Sequence, residues 1–182
     1  MFAHPSLGRR RVRMRRRGAI IVLAAFLMIF MLGMLALSID TGYMFTMQAQ
    51  LDRSVDAAAL AGAASLTEGT EVANAKTIEY LVRNPVGRPD VVVTDDDLVA
   101  KTAQFLAERS DEMEVVWGHW NSTTGQLEQT DTLPSAISVE LAYPNIPLFF
   151  GRVFGKAAFD VRSRAVAMYQ PRDIVLVLDL SG

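Results

Sequence analysis

The sequence predicts an α+β protein in which a long N-terminal helix precedes a small domain with an antiparallel sheet. Residues 18–39 form an apolar run that carries no charge, and residues 40–66 repeat apolar side chains at helical spacing. After residue 110 the pattern changes to short runs that alternate with a period of two, which is typical of strands. The length of 182 residues suits one small domain with appendages.

The apolar run from Gly18 to Ile39 is long enough to cross a membrane as a helix. Its roughly 22 residues would span about 33 Å, and the hydrocarbon core of a bilayer is about 30 Å thick. A soluble helix that is apolar on every face belongs in a buried core, which is the disfavoured alternative. We therefore expect a transmembrane helix over residues 18–39, with Gly18 and Ile39 as the ends of the membrane anchor.

The first 17 residues form an arginine-rich tail that carries seven of the 18 basic residues and no acidic one. Positively charged flanks stay on the cytoplasmic side of a membrane, so Arg15, Arg16 and Arg17 predict a cytoplasmic N-terminus. The same arginines favour contact with membrane lipid headgroups. A twin-arginine export signal and a polyanion-binding arm are the alternatives for residues 1–17.

A cleaved signal peptide is the main alternative to a permanent anchor. Small residues at 36–38 suit a signal peptidase, and cleavage there would give a secreted or periplasmic protein. The apolar core, however, exceeds the usual length of about 7 to 15 residues. We expect an uncleaved signal anchor that leaves the rest of the chain outside the cytoplasm.

Residues 40–66 have the pattern of a juxtamembrane helix that continues from the membrane. Asp40 is expected to mark the far interface, where its carboxylate reaches water, with Tyr43 and Phe45 at headgroup depth. One apolar stripe follows at helical spacing, made of Met47, Leu51, Val55, Ala58 and Gly62. Because Ala58 and Gly62 are small, another backbone can approach closely, either within the chain or from a partner helix.

Residues 67–170 have the pattern of a small extracytoplasmic α+β region. The sequence predicts a helix at 71–83, a short strand at 91–93, a helix after 95–97, a hairpin from 114–120 that returns at 125, and strands at 136–143 and 159–168. One aspartate of 95–97 is expected to be a helix N-cap. Pro144 and Pro147 are expected to interrupt the third strand, and an apolar cluster follows at 148–154.

The sequence contains little that indicates catalysis. It has no cysteine, which excludes disulfides, thiolate metal sites and thiol chemistry. The two histidines, His4 and His119, have no catalytic motif around them, and 95–97 does not match a calcium-loop pattern. We expect no enzyme activity, no small-molecule substrate and no nucleic-acid partner.

The last residues, 171–182, look like the opening strand of a domain that is cut short. The run at 174–178 is apolar without alternation, which is typical of a parallel strand covered on both faces. Asp179 and Ser181 follow it and offer oxygen ligands to a divalent cation. Two ligands are too few for Mg²⁺, so the predicted metal site is an incomplete half-site.

Residues 16–66 resemble the N-terminal segment of TadG-like proteins of the tight-adherence (Flp) pilus assembly system. The resemblance rests on the basic-apolar start, on Ile39-Asp40-x-Gly42, and on the run Asp56-Ala-Ala-Ala-Leu-Ala-Gly-Ala63. It implies a non-enzymatic, membrane-anchored component of pilus assembly or surface adhesion in the bacterial inner membrane. Its partners would be other pilus-assembly or pilin-like proteins. A minor pilin-like filament subunit is the alternative, although Leu23 stands where prepilins carry Glu.

Residues 173–182 are similar to the first strand of a von Willebrand factor A domain. Asp179 and Ser181 match the first two ligands of its D-x-S-x-S metal-ion-dependent adhesion site. The resemblance implies that Mg²⁺ or another divalent cation binds only if the rest of that domain is present.

Overall fold

The computed structural model describes residues 17–88, 91–130 and 132–170. Its helices are α1 (Arg17–Ser65), α2 (Thr70–Arg83) and α3 (Asp95–Arg109), and its strands are β1 (Met113–Asn121), β2 (Gln126–Gln129), β3 (Ala136–Pro147) and β4 (Ala158–Met168). Short 3₁₀ turns lie at Leu66–Glu68, Ser110–Glu112 and Gly151–Phe154. The predicted α+β architecture, with a long N-terminal helix and a small antiparallel sheet, is confirmed.

Helix α1 is a single element of 49 residues, which corresponds to a length of about 74 Å. It contains no proline and is rich in alanine and leucine, so nothing in its sequence breaks the hydrogen-bond ladder. The helix ends at Ser65, and the 3₁₀ turn Leu66–Glu68 leads to Gly69, whose φ of 115° starts α2 in a new direction. Its first half is exposed and its second half packs on the domain.

The sheet has the strand order β2-β1-β3-β4 and is antiparallel throughout. Val115 pairs with Val139 and Val139 pairs with Ala165, so apolar residues of three strands share one face. The second half of α1 covers that face, and helix α2 packs against α1 and contributes Ala73 and Leu81 to the core. The predicted stripe along α1 is confirmed as a core-facing surface, since Met47, Leu51, Val55, Ala58 and Gly62 are all buried.

Strand β3 runs through Pro144 and ends at Pro147, so the predicted interruption at Pro144 is wrong. The pairing with β4 shifts register between Tyr143 and Ile146, where Asn145 has a φ of 59°. A bulge tolerates proline because its residues leave the regular ladder. The Asn145 N–H donates instead to the Asp160 carboxylate at 2.7 Å.

The segment before α3 also differs from the prediction. Residues 91–93 do not form a strand. The Val93 side chain is buried, whereas Val92 is 82% exposed. The N-cap of α3 is Thr94 rather than an aspartate, and the Thr94 hydroxyl donates to the Asp97 carboxylate at 3.0 Å. The three aspartates occupy the first turn, where negative charge favours the helix dipole.

Helix α3 attaches to the domain at one end and along one side. Phe105 packs against the core, and the Arg109 guanidinium lies 4.3 Å from the centre of the Tyr143 ring. Burial raises the pKa of the Tyr143 hydroxyl, because the charged phenolate would lose its water.

Candidate functional site

The first half of α1 presents an apolar surface that nothing in the described part of the chain covers. Fifteen large apolar side chains between Ile20 and Ile39 are each 42% to 71% exposed. Soluble monomers rarely expose a contiguous apolar patch of this extent. Among the described residues, this is the one helix long and apolar enough to cross a membrane. Gly18 and Ile39, the predicted ends of the anchor, are both exposed and lie within it.

Asp40 lies where the exposed half of α1 meets the folded domain, and it is only 5% exposed. The expectation that its carboxylate reaches water is wrong. The carboxylate accepts hydrogen bonds from the backbone N–H groups of Phe149 at 2.9 Å and Phe150 at 3.0 Å. These donors replace water around the charge, and hydrogen bonds to an ionised acceptor are among the stronger ones in proteins. We call this contact the Asp40 latch.

Aromatic side chains reinforce the latch one turn further along α1. The Tyr43 ring lies edge-on to Phe149 with centroids 5.0 Å apart, and to Phe159 of β4 at 5.8 Å. Tyr43 therefore packs within the domain, whereas Phe45 is 73% exposed. The helix is therefore joined to the folded domain from Asp40, the first residue after its apolar half, onward.

The latch partners belong to a short loop, residues 148–157, which we call the aromatic loop. Backbone bonds close it, from the Leu148 N–H to the Ala157 carbonyl at 3.0 Å and from the Lys156 N–H to the Gly151 carbonyl at 2.9 Å. A side chain at Gly151 would collide with the Lys156 carbonyl, so only glycine permits this fold of the loop. The residues predicted here as an apolar cluster do lie together in the loop, but most of their side chains are exposed.

The small-residue stripe lies at the other end of the packed half of α1. Ala58 is fully buried, and a Cβ built on Gly62 would lie 2.9 Å from Ile137 Cδ1 and would overlap the Thr77 hydroxyl. That hydroxyl donates to the Ala73 carbonyl within α2 at 2.9 Å. Helix α2 and strand β3 thus occupy the space that a partner helix would need at Gly62.

A chain of charges connects α2 to α3. Glu79 pairs with Lys76 and Arg83, and Arg83 also pairs with Asp95. The Lys76 ammonium, followed by the Arg83 guanidinium, lowers the pKa of Glu79. The Arg83 guanidinium likewise lowers the pKa of Asp95. These pairs are partly or fully solvated, so they act as a tie between helices rather than as reactive groups.

Several predicted site residues lie outside the described residues. Arg15 and Arg16 precede them, Arg17 is the first residue of α1, and Asp179 and Ser181 follow them. The predicted topology signal and the cation half-site therefore stay predictions. Within residues 17–88, 91–130 and 132–170, no group of three His, Asp or Glu side chains is placed to hold a metal ion.

Sequence reasoning missed the latch and the outward-facing loop. The sequence indicates Asp40 only as the end of the apolar run, and its partners lie about 110 residues further along the chain, beyond any periodic pattern. A signal did exist in the loop, because Leu-Phe-Phe-Gly-Arg-Val-Phe at 148–154 combines aromatics with a glycine and a basic residue. Surface aromatics next to a basic residue suit an interface better than a core.

These observations define a class: an α+β domain built onto the second half of a helix whose first half is apolar and uncovered. The chain matches the Flp pilus-assembly TadE/G-like family over residues 18–65 and the Tad-like Flp pilus-assembly family over residues 61–167. The second match covers more than half of the chain, which therefore belongs to the Tad-like Flp pilus-assembly family. The resemblance of residues 16–66 to TadG-like proteins is confirmed at the level of this family. The chain matches none of the curated proteins or solved structures with which it was compared.

Proposed function

We propose that this protein is a single-pass component of Flp pilus assembly in the bacterial inner membrane. Its arginine-rich N-terminus lies in the cytoplasm, residues 18–39 cross the bilayer, and the domain from Asp40 onward lies outside the cytoplasm. The domain acts by binding other pilus-assembly or pilin-like proteins and has no enzymatic role. Family membership supports the pathway, and the uncovered apolar half of α1 supports the anchor.

One observation carries the proposal: the apolar half of α1 runs without a break into the half that forms the domain core. Transferring about fifteen large apolar side chains from water to lipid is strongly favourable, because each contributes of the order of 0.3–0.6 kcal/mol on an insertion scale. A helix end fixed in the core then holds the domain at the membrane surface.

Membrane topology can be tested with single cysteines, because the natural chain has none. Ser6→Cys reports on the tail and Val99→Cys, at a residue 81% exposed on α3, reports on the domain. In cells with a permeabilised outer membrane, a membrane-impermeant maleimide should label the Val99→Cys variant but not the Ser6→Cys variant. Labelling of the tail alone, or release of the whole chain by carbonate washing, would refute the proposed anchor.

The assembly role needs a separate experiment in a host that makes Flp pili. A chain that keeps residues 1–66 but lacks 67–170 should still fractionate with membranes and should fail to restore pili to a deletion strain. Restoration of pili by this anchor alone would show that the domain is dispensable.

A minor pilin-like subunit is the second candidate, because the exposed half of α1 could be covered by apolar helices of neighbouring subunits instead of lipid. Mass spectrometry of the mature protein separates the candidates. A retained anchor begins at the original N-terminus, a processed subunit begins near Ala19, and a protein released by signal peptidase begins near Ile39.

A further inference from the structure

We infer that the aromatic loop, residues 148–157, is a second membrane contact that inserts into the headgroup layer beside the point where α1 leaves the bilayer. The inference rests on the proposed membrane anchor and goes beyond it, because an anchor alone requires nothing of the domain surface. The partner is a lipid surface, and the contact is made by Phe149, Phe150, Val153 and Phe154.

The Asp40 latch fixes the height of this loop relative to the membrane. Asp40 directly follows Ile39, the last residue of the apolar run, and its carboxylate lies 2.9 Å from the Phe149 nitrogen. Tyr43, one turn further along, touches the Phe149 ring. The loop therefore lies beside the outer end of the membrane-spanning helix.

The distances allow the loop to reach lipid. The 3₁₀ turn that follows the latch, Gly151–Phe154, extends about 8 Å at about 2 Å per residue. The headgroup layer on each side of a bilayer is about 5–7 Å thick. Side chains attached this close to the end of the span lie within or against that layer.

The loop surface has the composition of a membrane-interface segment. Phe149, Phe150, Val153 and Phe154 are 66%, 40%, 83% and 58% exposed, so the domain leaves four large apolar side chains in one six-residue stretch uncovered. Arg152 and Lys156 are exposed in the same loop, which contains no acidic residue. Aromatic rings with adjacent cations favour the boundary between acyl chains and phosphate groups.

Other exposed apolar residues of the domain do not share this arrangement. Val92, Val99 and Leu133 are more exposed than Phe154, but they come from separate segments and none is tied to the end of the span. Isolated surface residues of this kind are common in soluble domains. They serve as internal controls.

Spin labels on single cysteines test the inference in the full chain, reconstituted in vesicles of phosphatidylcholine and phosphatidylglycerol. Val153→Cys and Phe154→Cys probe the loop, Leu27→Cys probes the span, and Val99→Cys is the matched exposed control. Accessibility is measured to oxygen, which concentrates in lipid, and to a water-soluble nickel complex. We expect an oxygen-to-nickel ratio severalfold higher at 153 and 154 than at 99, and highest at 27.

The outcomes separate this inference from the proposed function. A lipid-exposed position 27 with positions 153 and 154 equal to 99 would overturn the loop contact and leave the anchor intact. Exposure of position 27 to nickel would overturn the anchor and the loop contact together. Protection of 153 and 154 from both reagents would show that a second copy of the chain packs on the loop and would overturn the lipid assignment. Unchanged tryptophan emission in each variant verifies that the domain remains folded.

Discussion

Replacing Asp40 with alanine removes the carboxylate that accepts two backbone hydrogen bonds from the loop at 148–157. The change leaves the N–H groups of Phe149 and Phe150, both part-buried, without their acceptor. An unsatisfied buried donor costs about 1–3 kcal/mol, and partial access of water to these two groups favours the lower half of that range. We therefore expect the free energy of unfolding to fall by about 2–4 kcal/mol.

The measurement uses the two tryptophans of the chain, Trp117 and Trp120, which both lie on β1 and report on the sheet. Thermal unfolding in detergent micelles is followed by their emission. For a domain of this size, 1 kcal/mol shifts the midpoint by about 4 °C, so the variant should unfold roughly 10 °C below the natural protein. Asp40→Asn, which keeps one acceptor oxygen, should lie between the two.

Asp160 provides the matched control for this experiment. Its carboxylate also accepts a backbone N–H, that of Asn145, but it does so in an exposed position where water can replace it. Asp160→Ala should cost less than about 1 kcal/mol. If Asp40→Ala had the same unfolding midpoint as the natural protein, or if both alanine variants were destabilised equally, the proposed role of the Asp40 latch in stability would be refuted.

Three further predictions concern the packed half of the molecule. Gly62→Ala should lower the free energy of unfolding by about 1–3 kcal/mol, because the added methyl group collides with α2 and β3. Gly42→Ala, on an exposed part of the same helix, should raise it by up to about 1 kcal/mol. Denaturant midpoints of the two variants compare these effects, and equal midpoints would contradict the packing at Gly62. Ser54→Ala should leave stability unchanged or higher, since the buried Ser54 hydroxyl has no hydrogen-bond partner among the described residues. A clear loss in a melting experiment would show that the hydroxyl is satisfied. The Arg83 guanidinium lowers the pKa of Asp95, so this tie is fully present above the ordinary value of 3.8 and is lost as the pH falls through the lower folded value. Asp95→Asn should therefore flatten the acid side of the melting profile, and an unaltered profile would count against the tie.

The local elements of this fold could be predicted because their signals are local. The stripe along α1, helix α2 and strands β1 and β4 were predicted within a few residues of their observed bounds, since apolar periodicity decides which face is buried. The same logic failed at 91–93, where three β-branched residues have strand propensity but pair with none of the described strands.

The latch and the loop could not be predicted because they depend on contacts distant in sequence. An aspartate after an apolar run indicates the end of a span, but its partners are two backbone N–H groups, which carry no residue signature. Strand β3 shows the same limit. Pro144 predicts a break in the strand unless a β-bulge accommodates the proline. Whether a bulge forms there depends on the register in which β4 pairs with β3.

The Asp40 latch also fixes the orientation of the domain relative to the apolar half of α1. Gly42 lies between Asp40 and the packed half of α1, and no atom of the described residues lies within 4 Å of where its side chain would be. Glycine is a weak point in a helix, so a span joined only through this position could bend there. The domain, however, grips α1 on both sides of Gly42, through the Asp40 carboxylate before it and through Tyr43 and Met47 after it. Because bending at Gly42 would require one of these contacts to break, the latch makes the apolar half of α1 and the domain a single rigid unit.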